Sequence, residues 1–305
     1  MALTFASTLG AVRARHPGNS MTTPRDTTQP NRDLSVQRVR HPLKMRMLQV
    51  VRTRHISPQL LRVTLHGADL ADFVSASFDD HVKVFFPQGG ADKPVLPEAG
   101  PNGPVFAEGR PRPPARDYTP RRYDATAQEL DIEFVLHGDG PASTWAAQAQ
   151  PGQFLGIGGP RGSFVVPVAF DWHLLVGDET ALPAIGRRLE ELGADTRALV
   201  VVEVPDATAE IPLPSPANVE VHWLHRGNAP EGSLLEPALR AIALPRGEGY
   251  VWAAGESAAM KAVRQHLVTE RGIDKRESAH RATGSAARPP CTRPWTTDRT
   301  LNGLR

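Results

Sequence analysis

Between positions 116 and 121 the chain sets Arg116, Tyr118, Thr119 and Arg121 around Asp117 and Pro120. Two guanidinium groups, a phenol and a hydroxyl in one extended segment suit the grip of a phosphate-bearing aromatic ligand. In a strand, residues two apart share a face, so Arg116 and Tyr118 point one way. Thr119 and Arg121 point the other unless Pro120 breaks the alternation. Pro120 cannot donate to a ladder, which predicts an edge strand or a strand end. The same residues also suit an edge strand that merely carries solvated charges, and the stretch by itself leaves both open.

A second segment, His137-Gly138-Asp139-Gly140-Pro141-Ala142-Ser143-Thr144, reads as a tight loop entering a helix. Pro141 fits the first helical position, and the glycines permit close backbone approach. Free N–H groups at the helix start, with the Ser143 and Thr144 hydroxyls, would make an anion site. A plain capped helix across a barrel mouth is the alternative.

These segments need a scaffold, and the flanking pattern supplies one. Met47–His55, Leu60–His66, Asp80–Pro87, Glu129–Leu136 and Gln153–Ile157 alternate apolar and polar residues between turn signals such as Ser57-Pro58. With the Arg116–Tyr123 segment they predict a small antiparallel barrel. Residues 88–114, rich in Gly, Pro and Ala, predict a long loop of the kind found over ligand sites. After Pro167 strands alternate with helices: strands Trp172–Val176, Arg197–Val204, Val219–Leu224 and Gly249–Ala253, helices Thr180–Leu192, Ser233–Ile242 and Ser257–Arg271. That order predicts an open parallel α/β sheet, with the boundary near 167–171. Its strands end at Gly177-Asp178-Glu179-Thr180 and Ala254-Gly255-Glu256-Ser257, where ligands bind in such sheets. Asp178 and Glu179 place two carboxylates where a dinucleotide pyrophosphate would lie, so a phosphate-rich donor is expected to bind poorly. Acids at a helix start also serve simply as stabilisers.

Composition narrows the class. The 305 residues, 40% hydrophobic and 22% charged, are enough for two globular domains with cores of their own. No apolar run is long enough to span a bilayer, and Cys291 is the only cysteine, which excludes a disulfide framework and a thiolate metal site. The net charge of +2 is concentrated at the ends; with residues 1–46 and 275–305 set aside, 20 basic face 29 acidic residues, about −9. Nucleic-acid binding therefore draws no support from it, and basic groups inside the acidic body gain in meaning. Residues 1–40 read as a disordered extension. They lack the charge order of a secretory signal, and Met21 is a candidate start. The histidines His55, His66, His222, His225 and His266 show no ligand spacing, and no metal site is expected.

A barrel followed by a nucleotide-type α/β domain, with Arg-x-Tyr-Thr-x-Arg on a barrel strand, resembles the ferredoxin-reductase-like flavoproteins. Asp80-His81-Val82-Lys83-Val84-Phe85-Phe86-Pro87, His137-Gly138 through Trp145-Ala146, and Gly159-Pro160-Arg161-Gly162-Ser163-Phe164 resemble the siderophore-interacting protein family more narrowly. So do Gly177-Asp178-Glu179-Thr180-Ala181-Leu182-Pro183-Ala184-Ile185 and Trp252-Ala253-Ala254-Gly255-Glu256, over a stretch from about Arg46 to Arg276.

The resemblance implies an FAD-binding β-barrel domain over 41–168, a parallel α/β domain for the electron donor over 169–284, and an atypical tail over 285–305. It implies a cytoplasmic FAD-dependent reductase of ferric siderophores, with NAD(P)H or a reduced ferredoxin as donor; a monomer is expected. In the family pattern Arg116 and Arg121 would meet the FAD phosphates and ribityl chain. Tyr118 would pack along the flavin, and Thr119 would bond near its reactive nitrogen. His137 would approach the ring, with Gly140, Ala142, Ser143 and Thr144 at the pyrophosphate. Lys83, Arg161 and Arg264 would form a basic triad for an anionic chelate, each of them otherwise an ordinary surface charge. A general NAD(P)H:flavin reductase and a non-catalytic siderophore-binding protein are the competing expectations. The family usually ends in an aromatic Gly-Tyr-Trp-Arg segment, whereas here Arg281-Ala282-Thr283-Gly284 runs into a basic Pro/Thr-rich stretch. A frameshift just after Gly284 or a truncated domain, with weaker FAD retention, is the expectation.

Overall fold

The computed structural model of the protein describes residues 32–273 except 101–102 and 110–111, together with the backbone of 6–7, 12–13 and 278–282. The expectations for Met21 and for the chain from Gly284 onward lie outside the described residues.

Alternation of apolar and charged residues builds the first domain. Its strands are β1 (Gln37–Arg40), β2 (Met45–Ser57), β3 (Leu60–His66), β4 (Val82–Phe85), β5 (Ala115–Tyr118), β6 (Pro120–Asp124), β7 (Glu129–Val135), β8 (Phe154–Gly158) and β9 (Gly162–Val165). Leu61, Val63 and Leu65 on β3 and Leu130, Ile132 and Phe134 on β7 face one core with Leu48, Val50, Val82, Val84, Leu155 and Ile157. The intervening residues take the other face and pair across strands, Arg62 with Glu133 and Arg122 with Asp131, and both carboxylates are buried there. The sheet runs β6-β7-β3-β2-β8-β4-β5, antiparallel throughout. Its two ends are consecutive in the chain and separated only by Thr119. The sheet therefore curls back on itself, and the segment predicted as one strand is two strands serving opposite ends of the path.

The extension predicted as disordered over 1–40 is corrected at its end. β1 pairs with β9, and Arg32 donates to Asp171 at 2.7 Å. The ribbon Glu98–Gly100 with Gly103–Val105 lies within the predicted long loop.

The second domain has β10 (Trp172–Asp178), α2 (Leu182–Glu191), β11 (Arg197–Val204), β12 (Asn218–His225), α3 (Leu235–Ala241), β13 (Glu248–Gly255), α4 (Ser257–Arg264) and β14 (Ser278–Ala282); α1 (Pro141–Ala147) belongs to the barrel. The strand order is β14-β13-β10-β11-β12, with every neighbouring pair parallel. Ala6–Ser7 pairs with β14 and Val12–Arg13 with β13, both antiparallel. Every residue of β10 is buried, as the central strand of a sheet covered on both faces requires. Chain order reverses between β10 and β13, which makes the crevice beyond their C-terminal ends the switch point of the sheet. The predicted Ser257–Arg271 helix is α4 followed by a π-helical turn over Gln265–Glu270, ended by Gly272 at φ 69°.

The two domains interlock. Phe78, from the loop before β4, is buried in the α/β core with its ring 5.5 Å from Trp252 and under the Arg188 guanidinium. Trp252 Nε1 donates to Asp79 at 3.1 Å.

His173 on β10 is fully buried beside Phe170 and Tyr250. Burial, reinforced by the Arg188 charge, holds its pKa well below the ordinary value. The unfolded chain takes up a proton there below about pH 6.5 and the folded chain does not, so this group removes stability as pH falls. The penalty reaches about 2 kcal/mol at pH 5. Thermal unfolding of His173→Leu is expected to show a smaller loss between pH 7.5 and pH 5 than the wild type. Parallel pH profiles for the two proteins would refute this role.

Candidate functional site

The Thr119 corner is where the barrel gathers its chemistry. Pro120, first residue of β6 at one end of the sheet path, takes the position expected of a residue without a ladder donor. On β5, Tyr118 pairs in register with Val82 and Asp117 with Lys83. The Tyr118 ring lies 4.5 Å from Phe134 and 6.4 Å from Phe86, and Trp145 of α1 closes on the same two phenylalanines. Burial pushes the Tyr118 phenol upward, so it acts as a neutral ring. Sequence pattern gives Trp145 no role of its own; its aromatic type is the available signal.

Arg116 carries the uncompensated charge of this corner. Its Nη1 donates to the Ala115 carbonyl at 2.8 Å, and it forms no ion pair among the described residues. The start of α1 is also open: Gly140 is the N-cap, no side chain caps it, and Pro141 fills the first turn. The leading N–H groups of such a helix have no intrahelical acceptor. Ala142 is buried, Ser143 half-buried, and His137, Gly140 and Thr144 are exposed. A guanidinium with no ion pair among the described residues, an aromatic wall and an uncapped helix start fit the phosphates and ring of FAD.

The expected basic triad is divided. Lys83 Nζ pairs with Asp117 Oδ1 at 2.7 Å, which reduces its outward field. Gly158 pairs with Lys83 across β8 and β4, and Arg161, three residues further on, is exposed and without an ion pair among the described residues. Arg264 ends α4 in the other domain and is half-exposed, likewise unpaired among the described residues.

Arg121, expected on the cofactor, also joins the domains: its guanidinium meets Glu190 at 2.6 Å and lies against Gly186 of α2, where a Cβ would come within 3.1 Å of it. Arg187, next on α2, donates to the Pro120 carbonyl at 2.8 Å and so holds the Thr119 corner from the second domain. No sequence signal marked Arg187, because charges on a helix read as solvated.

Asp178 and Glu179 are likewise turned inward. Asp178 accepts from Thr180 N–H and, across the switch point, from Glu256 N–H, each at 3.0 Å. Burial first, then the Glu179 charge, pushes its carboxyl up to about 7 against those donors. Glu179 is bidentate with Arg226 at 2.7 and 2.8 Å. Neither carboxylate projects freely towards a pyrophosphate, so the expectation of poor binding by a phosphate-rich donor loses its basis.

Comparison with known proteins agrees with this geometry. Residues 49–164 match the siderophore-interacting FAD-binding domain model, and 170–282 match the siderophore-interacting protein model. The chain is 39% identical over 237 residues to the NADPH-dependent ferric-chelate reductase of Escherichia coli K12, covering 77% of this chain and 91% of that one. Ferric vibriobactin reductase of Vibrio cholerae is 36% identical over 228 residues, 74% and 83% of the two chains. A siderophore utilization protein from T. fusca superposes with a TM-score of 0.76 at 41% identity, over 84% of this chain and 97% of that one. The barrel, its Thr119 corner, the α/β partner and these matches agree: the chain belongs to the siderophore-interacting protein family.

Proposed function

We propose that the protein reduces chelated Fe(III) in an FAD-dependent reaction and so frees iron from siderophores. The observation that carries this is the Thr119 corner, with the unpaired Arg116, the Tyr118 wall and the open start of α1. Arg116 holds an FAD phosphate, and the α1 N–H groups with Ser143 and Thr144 hold the pyrophosphate. Tyr118 and His137 border the ring, and the Thr119 hydroxyl bonds to it. Bound FAD supplies the conversion between a two-electron hydride donor and one-electron acceptors.

Per NADPH oxidised, two chelated Fe(III) ions become Fe(II) and one proton is released. Fe(II) holds hard oxygen ligands less tightly, so the metal leaves its chelate. Arg161, Arg264 and the partly neutralised Lys83 draw the anionic chelate to an otherwise acidic body. NADPH is the favoured donor, since the Escherichia coli relative is named for it and Asp178 and Glu179 are held by internal partners; a reduced ferredoxin is the other candidate. A cytoplasmic monomer completes the reading. No described helix is long and apolar enough to cross a membrane.

The test begins with purified protein, expected to be yellow and to stay yellow through desalting. After anaerobic reduction, a ferric catecholate should restore the oxidised flavin spectrum. Colour lost on desalting would point to a flavin reductase that uses flavin as substrate. Retained colour without reoxidation would leave a siderophore-binding protein in place of a reductase.

A further inference from the structure

One buried carboxylate joins the two barrel segments that carry Lys83 and Arg161. Asp80 lies just before β4, and Ser163 lies in β9 beyond Arg161. The Ser163 hydroxyl donates to Asp80 Oδ2 at 2.7 Å, and the same oxygen accepts from the Ser75 hydroxyl and from Ser77 N–H at 2.9 and 3.1 Å. A hydroxyl has a single proton. Ser163 gives it to Asp80, so its oxygen serves as acceptor for Ala76 N–H at 3.2 Å and for His41 Nε2 at 2.8 Å. His41 therefore carries its proton on Nε2. Its backbone N–H also donates to the Arg161 carbonyl at 3.0 Å, so one residue holds the Arg161 segment by main chain and by ring.

We propose that the Asp80–Ser163–His41 chain sets the spacing of Arg161 and Lys83 and thereby tunes selectivity for anionic over neutral ferric chelates. The inference rests on the reductase reading above. All three are positioning residues, acting through the cations they hold. Burial raises the Asp80 carboxyl, while Ser163, Ser77, Ser75 and the Arg187 charge pull it back.

The experiment compares wild type with Ser163→Ala, His41→Leu and His41→Gln, each with bound FAD and NADPH as donor. Substrates are a trianionic ferric tris-catecholate and a neutral ferric tris-hydroxamate. Ser163→Ala and His41→Leu should raise KM for the catecholate about tenfold, with kcat and FAD content close to wild type. KM for the hydroxamate should move by less than about twofold, and His41→Gln, which keeps a donor, should stay within about threefold of wild type on both. Equal shifts on both chelates, or none, in a protein whose wild type is active would overturn the inference alone. A wild type that reduces neither chelate would overturn the reductase reading and this inference with it. His41 is only half-buried, so its variants carry the test should Ser163→Ala fail to fold.

Discussion

Phe78→Ala is expected to destabilise the protein by about 3–5 kcal/mol, the range for removing a buried phenylalanine. Phe78 belongs to the barrel side of the chain yet is 1% exposed within the core of the α/β domain. Its removal leaves a cavity beside Trp252 and strips the contact beneath Arg188, a buried guanidinium that hydrogen-bonds the Val166 and Pro167 carbonyls of the interdomain connection. Because the lost contacts couple two domains, unfolding should also become less cooperative. Thermal unfolding should show a midpoint about 10 °C lower, with Phe78→Leu in between. A midpoint within about 2 °C of wild type would mean that Phe78 does not join the domains.

The second large effect separates two neighbours. On the proposed reading, Arg116→Ala removes a charge-assisted phosphate contact of about 1.5–3 kcal/mol and should weaken FAD binding about 10- to 100-fold, seen as loss of yellow colour on dilution. Thr119→Ala leaves the phosphate grip intact, so occupancy should hold while electron transfer slows about 3- to 10-fold, the worth of one neutral hydrogen bond. Flavin content follows from the visible spectrum after desalting, and the rate from stopped-flow reduction by NADPH. Equal flavin content and equal rates in both variants would mean that this corner does not hold the cofactor.

Much of this architecture was legible in residue order. Val82, Val84 and Phe86 announced a strand with one apolar face, and all three are buried in the barrel core. Arg197–Val204 announced a strand covered on both faces, and it lies inside the parallel sheet. What escaped was whatever depends on a distant partner. β1 has no apolar alternation and exists because β9 offers it a ladder. Asp178 reads as an outward acid until Glu256, 78 residues later, supplies the N–H that turns it inward. Nothing local to Arg121 announces that its guanidinium pairs with Glu190 on α2. Local pattern encodes which face is apolar; it does not encode which charge meets which.

The single residue between β5 and β6 also bears on which insertions the chain can absorb. The 88–114 loop has both ends on one side of the sheet, and extra residues there add only a slowly rising closure entropy. A residue added at Thr119 sits on the seam where the two ends of the sheet path meet. It would either open the seam or slip β5 by one position, and a one-residue slip turns Tyr118 and Arg116 to the opposite face. Length variation in relatives of this chain should therefore collect in the long loop and be absent from the seam.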